Sequence, residues 1–345
     1  MIIAYLFRSL GTGHSIEELF GSLQRKVDRH PDIQTTRIYL PYVSRGWQSI
    51  KRNLRFLRSA SATIFHITGD IHYAALALPE SKTVLTIHDC ILLERNRNRP
   101  LRYTFFWLFW YYLPIRRAAV VTVISEKTRH ELMQYVGPVA KKAIVIANGY
   151  DPAFVYRPAT FQKNHPVLLQ LGTAPHKNLS RLIAAIEGIA CTLILVGPLT
   201  DSITRELHQR RITYKNYVDL SRVEIIQLYE TCDIVTCVST YEGFGMPILE
   251  ANAVGRVVIT SYLEPMRTVA SDAAHCVNPT DVTAIRQGIL LLIQNDAYRQ
   301  SLIDAGRRNA QRYTMAVAAL RYEAIYQQLA GVQFVEVQPI VEQVL

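Results

Sequence analysis

The stretch STYEGFGMPILEANAVGRVVITS, residues 239–261, decides the fold of this chain. It follows the apolar run DIVTCV and contains a second apolar run, VVIT. Short apolar runs bounded by turn residues are typical of buried strands. The stretch and the run before it therefore predict a strand, a loop, a helix and a second strand, which is the repeating unit of a parallel α/β sheet.

The start of the predicted helix favours an anionic ligand. Pro247 suits the first helical position, and the N–H groups at a helix start carry partial positive charge. Gly243 and Gly245 allow the backbone to approach a ligand closely. We therefore expect phosphate oxygens to be bound by the amides that precede the proline, which are those of Phe244, Gly245 and Met246.

Two glutamates accompany this helix start. Glu242 lies in the predicted loop, and Glu250 falls near the first turn of the helix, so that both carboxylates can face the same cleft. A carboxylate that accepts hydrogen bonds from two vicinal hydroxyls is the usual way to hold a ribose. The alternative role for both acids is to complement the helix dipole.

Short Val- and Ile-rich runs alternate with helical patterns along all 345 residues. The alternation predicts six strands in the first half and four in the second, arranged as two doubly wound α/β domains with a cleft between them. Asn-Gly, Asp-Pro and Arg-Pro turn signals cluster at residues 148–158. They place the domain boundary there, with domains at residues 1–155 and 156–314.

The block around Glu242 and Glu250 resembles the Glu-x7-Glu motif of glycosyltransferase family 4, the retaining enzymes of the GT-B fold. The resemblance implies two Rossmann-like domains that face each other across a cleft. The first would bind the acceptor, and the second would bind a nucleotide sugar. The resemblance also implies that Glu250 holds the ribose, that Glu242 and the loop amides hold the donor sugar, and that a C-terminal helix at about 315–345 packs back on the first domain.

A second match to the family is VLLQLGTAPHKNLSRLI, which predicts a strand, a turn at Gly172 and Thr173, and a helix that Asn178 caps. Lys177 would lie at the carboxyl end of the strand as a ligand of the diphosphate. His176 stands where the family commonly has arginine, and a neutral histidine is a weaker phosphate partner than a guanidinium. For Lys177, the alternative is a surface lysine at a helix start.

The resemblance continues through TIHD, VISEKTRHEL, VIANGYDPAF and Gly197, which follows the run LILV. It implies that His88 contacts the donor sugar near the reacting carbon, although a histidine at a strand end is more often structural. The turn SLGTGHSIEEL would place Gly11 and Gly13 against phosphate or acceptor. It lacks the third glycine of a dinucleotide fingerprint, so a nicotinamide enzyme is not supported.

Positive charge is concentrated in the first half, where residues 1–157 hold 22 Lys and Arg against 11 Asp and Glu. Residues 47–58 predict a basic amphipathic helix, and residues 95–117 contain six arginines around YTFFWLFWYYLPI. This apolar segment is too short to span a bilayer, but its composition suits an interface with anionic headgroups. A buried core helix and a nucleic-acid surface are the alternatives.

Cysteine usage and the N-terminus bear on the compartment. The five cysteines are scattered without Cys-x-x-Cys spacing, which favours a reducing compartment, and MIIAYLF is typical of a first strand rather than an export signal. We therefore expect a cytoplasmic protein at the inner face of the bacterial cytoplasmic membrane.

Taken with the resemblance, the sequence predicts transfer of a hexose from GDP-mannose or a UDP or dTDP sugar, with departure of the diphosphate assisted by Lys177. The acceptor would be a saccharide or a lipid-linked saccharide in cell-surface polysaccharide synthesis, without metal, other cofactor or nucleic acid. A catalytically idle nucleotide-sugar-binding protein and a basic nucleic-acid-binding protein are the competing hypotheses.

Overall fold

The computed structural model describes residues 1–11 and 15–331, which form two compact units. Of these residues, unit 1 contains 1–11, 15–147 and 315–331, and unit 2 contains Asn148–Thr314. The units therefore divide at Asn148, within the 148–158 cluster of turn signals and eight residues before the predicted second domain begins at residue 156. Gly13 lies outside the described residues.

Unit 1 is built on a six-stranded parallel sheet. Its strands are β1 (Ile2–Phe7), β2 (Gln34–Tyr39), β3 (Ile64–Ile67), β4 (Thr83–Ile87), β5 (Val120–Val123) and β6 (Ala143–Val145), in the order β2-β1-β3-β4-β5-β6. Every residue of β3 and β4 is buried, as expected for strands covered by helices on both faces. Its first helices are α1 (Ser15–Val27), α2 (Trp47–Leu57), α3 (Ile91–Asn96), α4 (Pro100–Phe106), α5 (Leu113–Arg117) and α6 (Glu126–Val136).

The aromatic segment of unit 1 is helical throughout, because a π-helical stretch at Trp107–Tyr112 joins α4 to α5. Trp110 and Tyr111 are buried in the core, which agrees with the core-helix alternative for the inner face. Near this segment the surface is apolar as well, since Leu101 on α4 is 88% exposed and Trp47 of α2 packs against Phe105 while remaining 54% exposed. In the two described ranges, no helix has the length and apolar character needed to cross a membrane.

Unit 2 carries a second six-stranded parallel sheet. Its strands are β7 (Val167–Leu171), β8 (Thr192–Val196), β9 (Tyr214–Tyr217), β10 (Ile234–Cys237), β11 (Val257–Ser261) and β12 (His275–Val277), in the order β12-β11-β10-β7-β8-β9. Its helices are α7 (Leu179–Ile186), α8 (Asp201–Gln209), α9 (Arg222–Thr231), α10 (Met246–Val254), α11 (Met266–Ala270), α12 (Val282–Gln294) and α13 (Asp296–Arg312). The prediction of four strands in this half was wrong, because both edge strands, β9 and β12, were missed.

The last described helix, α14 (Met315–Ala330), belongs to unit 1. Its apolar face packs on the β1 side of the sheet, and its tyrosines enter a buried polar network. Tyr326 Oη lies 2.6 Å from His66 Nδ1 and donates to Tyr5 Oη over 3.2 Å. Burial lowers the pKa of His66 to about 3, so the imidazole is neutral inside this network.

Candidate functional site

The candidate site lies at the carboxyl ends of the central strands of the unit 2 sheet. Strand order reverses between β7 and β10, and ligands of such sheets bind outside the carboxyl ends of the strands at this switch point. Gly172–Lys177 follows β7, and Ser239–Glu242 follows β10. The two loops predicted to bind the donor are therefore neighbours at the switch point.

Lys177 and Glu242 form a close ion pair across this point. Lys177 Nζ lies 2.6 Å from Glu242 Oε1, which also accepts from Ser239 Oγ over 2.7 Å. The side chains of Lys177 and Glu242 are only 17% and 12% exposed. Burial by itself would lower the pKa of Lys177, but the charge of Glu242 and its hydrogen bond outweigh burial, so that the pKa is raised. The ammonium group therefore stays charged in the neutral pH range.

Two glycines make room for this arrangement. Gly172 has φ +83°, and a Cβ at this position would lie 3.0 Å from Cε of Lys177, which folds across the glycine. Gly197 has φ +128°, and its Cβ would lie 3.0 Å from Thr173 Oγ1. The Thr173 hydroxyl donates to Pro198 O over 2.6 Å, so Gly172, Thr173 and Gly197 lie together at the ends of β7 and β8.

Helix α10 begins beside the pair. Gly245 is its N-cap and Met246 is its first residue. Pro247 is its second residue, whereas the sequence predicted it at the first position. The first N–H groups of a helix have no acceptor within the helix, so this end retains donors for an anion. The ring of Phe244 is buried against Tyr313, with 5.9 Å between the ring centroids, and anchors the loop that contains Gly243.

Asn178 occupies the N-cap position of α7, but its side chain does not cap the helix. Its amide nitrogen donates to Val238 O over 2.9 Å and to Pro279 O over 2.6 Å, while its oxygen accepts from Arg181. The capping prediction was therefore wrong, because two carbonyl groups compete for the side chain. His176 contributes its carbonyl oxygen to Thr240 N over 2.8 Å, which is a second link between the two loops.

Glu250 is the fifth residue of α10, so it lies just past the first turn, near which it was predicted. It is 7% exposed, and Tyr229 Oη donates to its Oε2 over 2.6 Å. The Arg222 guanidinium lies 3.4 Å from Oε1. Burial raises the pKa of Glu250, and Arg222 and Tyr229 oppose part of that rise.

Sequence reasoning missed Arg222 and Tyr229, which come from α9 and carry no motif. Arg222 also lies 3.5 Å from Asp151 and stacks over Phe154, 4.5 Å from the ring centroid. The available signal was the Ser-x-x-Glu capping box at Ser221, which marks the start of α9 and is present in the structure. It predicts the helix, but not that the helix faces Glu250.

His88 and Gly11 belong to unit 1. His88 Nε2 lies 2.7 Å from Thr68 O, so this nitrogen carries the proton and donates to the carbonyl. Burial is the main reason why the pKa of His88 is lowered, so the ring is neutral. Because its proton is on Nε2, Nδ1 is a hydrogen-bond acceptor. Gly11 has φ +76°, and among the described residues no atom outside its chain neighbours lies within 4 Å of a Cβ placed there.

Two family models match this chain. A family model described as Glycosyltransferase Family 4 matches residues 11–154, and one described as Glycosyl transferases group 1 matches residues 156–309. The chain belongs to glycosyltransferase family 4. This glycosyltransferase has the GT-B fold, with two Rossmann-like α/β domains.

Among relatives of this glycosyltransferase, the O-antigen chain mannosyltransferase B of Escherichia coli is 24% identical over 258 residues, which cover 68% of this chain and 67% of that protein. The structure of sucrose-phosphate synthase from Thermosynechococcus elongatus has a TM-score of 0.81 at 16% identity and covers 96% of this chain and 100% of that one. Anabaena HepE in complex with UDP and glucose has a TM-score of 0.73 at 19% identity, with 95% and 100% covered.

Across residues 1–11 and 15–331, no group of three or more Asp, Glu, His or Cys side chains is arranged to hold a metal ion.

Proposed function

We propose that this glycosyltransferase moves a hexose from a nucleoside diphosphate sugar with retention of the anomeric configuration. The observation that carries the proposal is the Lys177–Glu242 ion pair at the switch point, beside the start of α10. This switch point offers a cation, the amides of a helix start and carboxylates to one ligand. The cation and the amides suit a diphosphate, and the carboxylates suit the hydroxyls of the sugar and the ribose.

Each group has a distinct part in donor binding. The Lys177 ammonium and the amides near Met246 would neutralise the diphosphate, and Glu242 would accept from hydroxyls of the transferred sugar. Glu250 would accept from the ribose hydroxyls, because each carboxylate oxygen has lone pairs beyond those used by Tyr229 and Arg222. The pairing of Lys177 with Glu242 keeps both side chains in place before the donor arrives.

The chemistry consists mainly of helping the diphosphate to leave. Negative charge grows on the phosphate oxygens as the bond to the anomeric carbon breaks, and fixed positive charge lowers the energy of that state. The acceptor hydroxyl would attack from the face that the diphosphate leaves and pass its proton to a phosphate oxygen, which gives retention. His88 would accept a hydrogen bond from a donor-sugar hydroxyl through Nδ1. We propose that no metal ion is needed, since Lys177 and the helix start supply the positive charge.

The named relatives support a hexose donor. The Escherichia coli relative is a mannosyltransferase of the O-antigen chain, and HepE was crystallised with UDP and glucose. We therefore propose GDP-mannose as the first donor to test, with UDP and dTDP hexoses beside it.

For the acceptor, we propose a saccharide linked to a lipid, used in bacterial surface polysaccharide synthesis. The support comes from α2 and its C-cap residue Arg58, where Lys51, Arg52, Arg55, Arg58 and Trp47 are all exposed. Basic side chains around exposed aromatic rings suit anionic headgroups at a lipid interface. On this proposal the enzyme works at the inner face of the cytoplasmic membrane.

The donor proposal is tested by incubating the protein with each nucleotide sugar and measuring nucleoside diphosphate release, with the product's anomeric configuration read by NMR. Release from at least one donor and a retained anomer are expected. Binding without release would support the idle-protein alternative, and an inverted product would contradict retention.

The membrane proposal is tested by flotation with vesicles of neutral lipid alone and of neutral lipid with phosphatidylglycerol. The wild type should float only with the anionic vesicles, and R52E/R55E/R58E should float less than the control K163E, which changes a lysine of unit 2. Equal flotation of both variants would contradict this surface. Salt-sensitive retention on RNA or DNA, unaffected by nucleotide sugar, would favour the nucleic-acid alternative.

A further inference from the structure

Asp70 stands at the second switch point of the molecule. In unit 1 the strand order reverses between β1 and β3, and Asp70 follows β3 by three residues. Arg8 follows β1, and Asp89 follows β4 at the same edge of the sheet. The rule that places ligands at the switch point of a doubly wound sheet therefore applies to this edge as well.

The core of unit 1 holds the Asp70 carboxylate through Oδ1. Trp110 Nε1 donates to Asp70 Oδ1 over 3.1 Å, and the indole is buried. The Trp110 carbonyl in turn lies 2.9 Å from His72 Nδ1, which fixes this part of the π-helical stretch. π-Helical turns are frequent at functional sites. For Asp70 Oδ2, residues 1–11 and 15–331 provide no hydrogen-bond donor, and Asp70 itself is exposed.

The electrostatic environment of Asp70 indicates a recess. The residue is open to solvent, yet the surrounding protein desolvates the carboxyl enough to raise its pKa to about 7, with a smaller contribution from Asp89. Trp110 and Arg8 oppose the rise. A side chain that is both accessible and crowded by protein lines a concave surface, where a ligand can surround it.

The hydrogen bond from the Trp110 indole does not require a carboxylate at position 70, because an amide or carbonyl oxygen would accept it equally. An acid at position 70 lies close to Asp89, and the two carboxylates repel each other when both are ionised. A carboxylate with a fixed Oδ1 and an open Oδ2 is, however, well suited to accept from the hydroxyls of a sugar. The position and the chemistry together favour a saccharide.

We propose that Asp70 is an acceptor-binding residue whose open Oδ2 hydrogen-bonds to hydroxyls of the saccharide acceptor. This inference rests on the proposed function, in which the donor's diphosphate and ribose are held by unit 2. It assigns to Asp70 a part in acceptor recognition and none in breaking the donor bond. The Trp110 indole fixes the carboxylate in its orientation.

The test is the variant Asp70→Asn, which keeps the acceptor oxygen for Trp110 and removes the charge. The matched control is Glu80→Gln, an exposed acid of the same unit that pairs with Arg117. We expect the KM for the acceptor to rise at least about tenfold in D70N, because a hydrogen bond to a charged group is lost, whereas the donor KM and donor hydrolysis stay within about twofold. An unchanged acceptor KM, or an equal change in the donor KM, would overturn the proposal.

A binding measurement separates this inference from the proposed function. Saturation-transfer NMR with methyl α-mannoside and mannobiose, without any nucleotide sugar, should show contacts in the wild type and E80Q that D70N loses. If the wild type releases no nucleoside diphosphate but shows this pattern, the proposed transfer fails while the saccharide site stands. Equal signals in D70N and wild type, or no saccharide signal in the wild type, would overturn the site.

Discussion

Replacement of Lys177 by methionine should lower kcat/KM for the donor by about three orders of magnitude. The reason is the place of the ammonium group, which is 17% exposed and lies at the switch point beside the start of α10. Two unit charges about 4 Å apart interact by about 4 kcal/mol at the effective dielectric constant typical of partly buried sites. Since about 1.4 kcal/mol corresponds to a factor of ten, losing one such contact with the departing diphosphate corresponds to about a thousandfold.

The ion pair adds a second, separable effect. In K177M the Glu242 carboxylate would keep its hydrogen bond from Ser239 but lose its counter-ion, so it would repel a diphosphate. The double variant K177M/E242Q should therefore bind nucleoside diphosphate more tightly than K177M alone. Independent, additive effects of the two substitutions would contradict a shared phosphate and sugar site.

The assay is nucleoside diphosphate release for kcat/KM, with titration calorimetry of the free nucleoside diphosphate for affinity. Lys163→Met is the matched control, because Lys163 is an exposed lysine of unit 2 that lies 3.6 Å from Asp296. It should behave as wild type. If K177M keeps kcat/KM within about threefold of wild type while remaining folded, Lys177 does not act on the diphosphate and the reasoning fails.

Three further predictions follow from buried and charged groups. Glu250→Gln should weaken nucleoside diphosphate binding about tenfold but leave binding of the 2′,3′-dideoxy analogue unchanged, since only the ribose hydroxyls need the carboxylate; equal losses would contradict ribose binding. The folded-state pKa of His66 is about 3 against 6.5 unfolded, so its contribution to stability is complete above pH 6.5 and is lost as the pH falls toward 3. Between pH 6.5 and 5.5 the wild type should lose about 1 kcal/mol more stability than His66→Gln, measured by urea unfolding with tryptophan fluorescence, which reports unit 1 alone; parallel pH curves would contradict a neutral His66. Excess EDTA should leave transfer within about twofold, and a loss that Mg²⁺ restores would refute the metal-free proposal.

Local sequence signals predicted most of the fold because apolar runs and Gly or Pro punctuation act over a few residues. The unit formed by β10, α10 and β11 is confirmed for this reason. Strand β9, with the sequence YKNY, has no apolar run and is only half-buried at the sheet edge. Its identity comes from pairing with β8, which is tertiary context that local propensity does not contain.

The same distinction between local signals and tertiary context applies to the candidate site. Lys177, Glu242 and Glu250 lie in two short motifs and could be found from sequence. Tyr229 could not, because its contact with Glu250 depends on how α9 packs against α10. For Asn178, residue type and position favoured a helix cap, but the carbonyls of Val238 and Pro279, 60 and 101 positions away along the chain, bind its amide instead.

We propose that the switch point of unit 2 binds a nucleotide sugar through its diphosphate and its hydroxyls. A crystal structure of the enzyme with the nucleotide sugar that it turns over most rapidly is the most direct test. We expect a phosphate oxygen within hydrogen-bond distance of Lys177 Nζ and of an amide near Met246, with ribose hydroxyls on Glu250. A diphosphate bound elsewhere, with the Lys177–Glu242 pair intact and untouched, would contradict it.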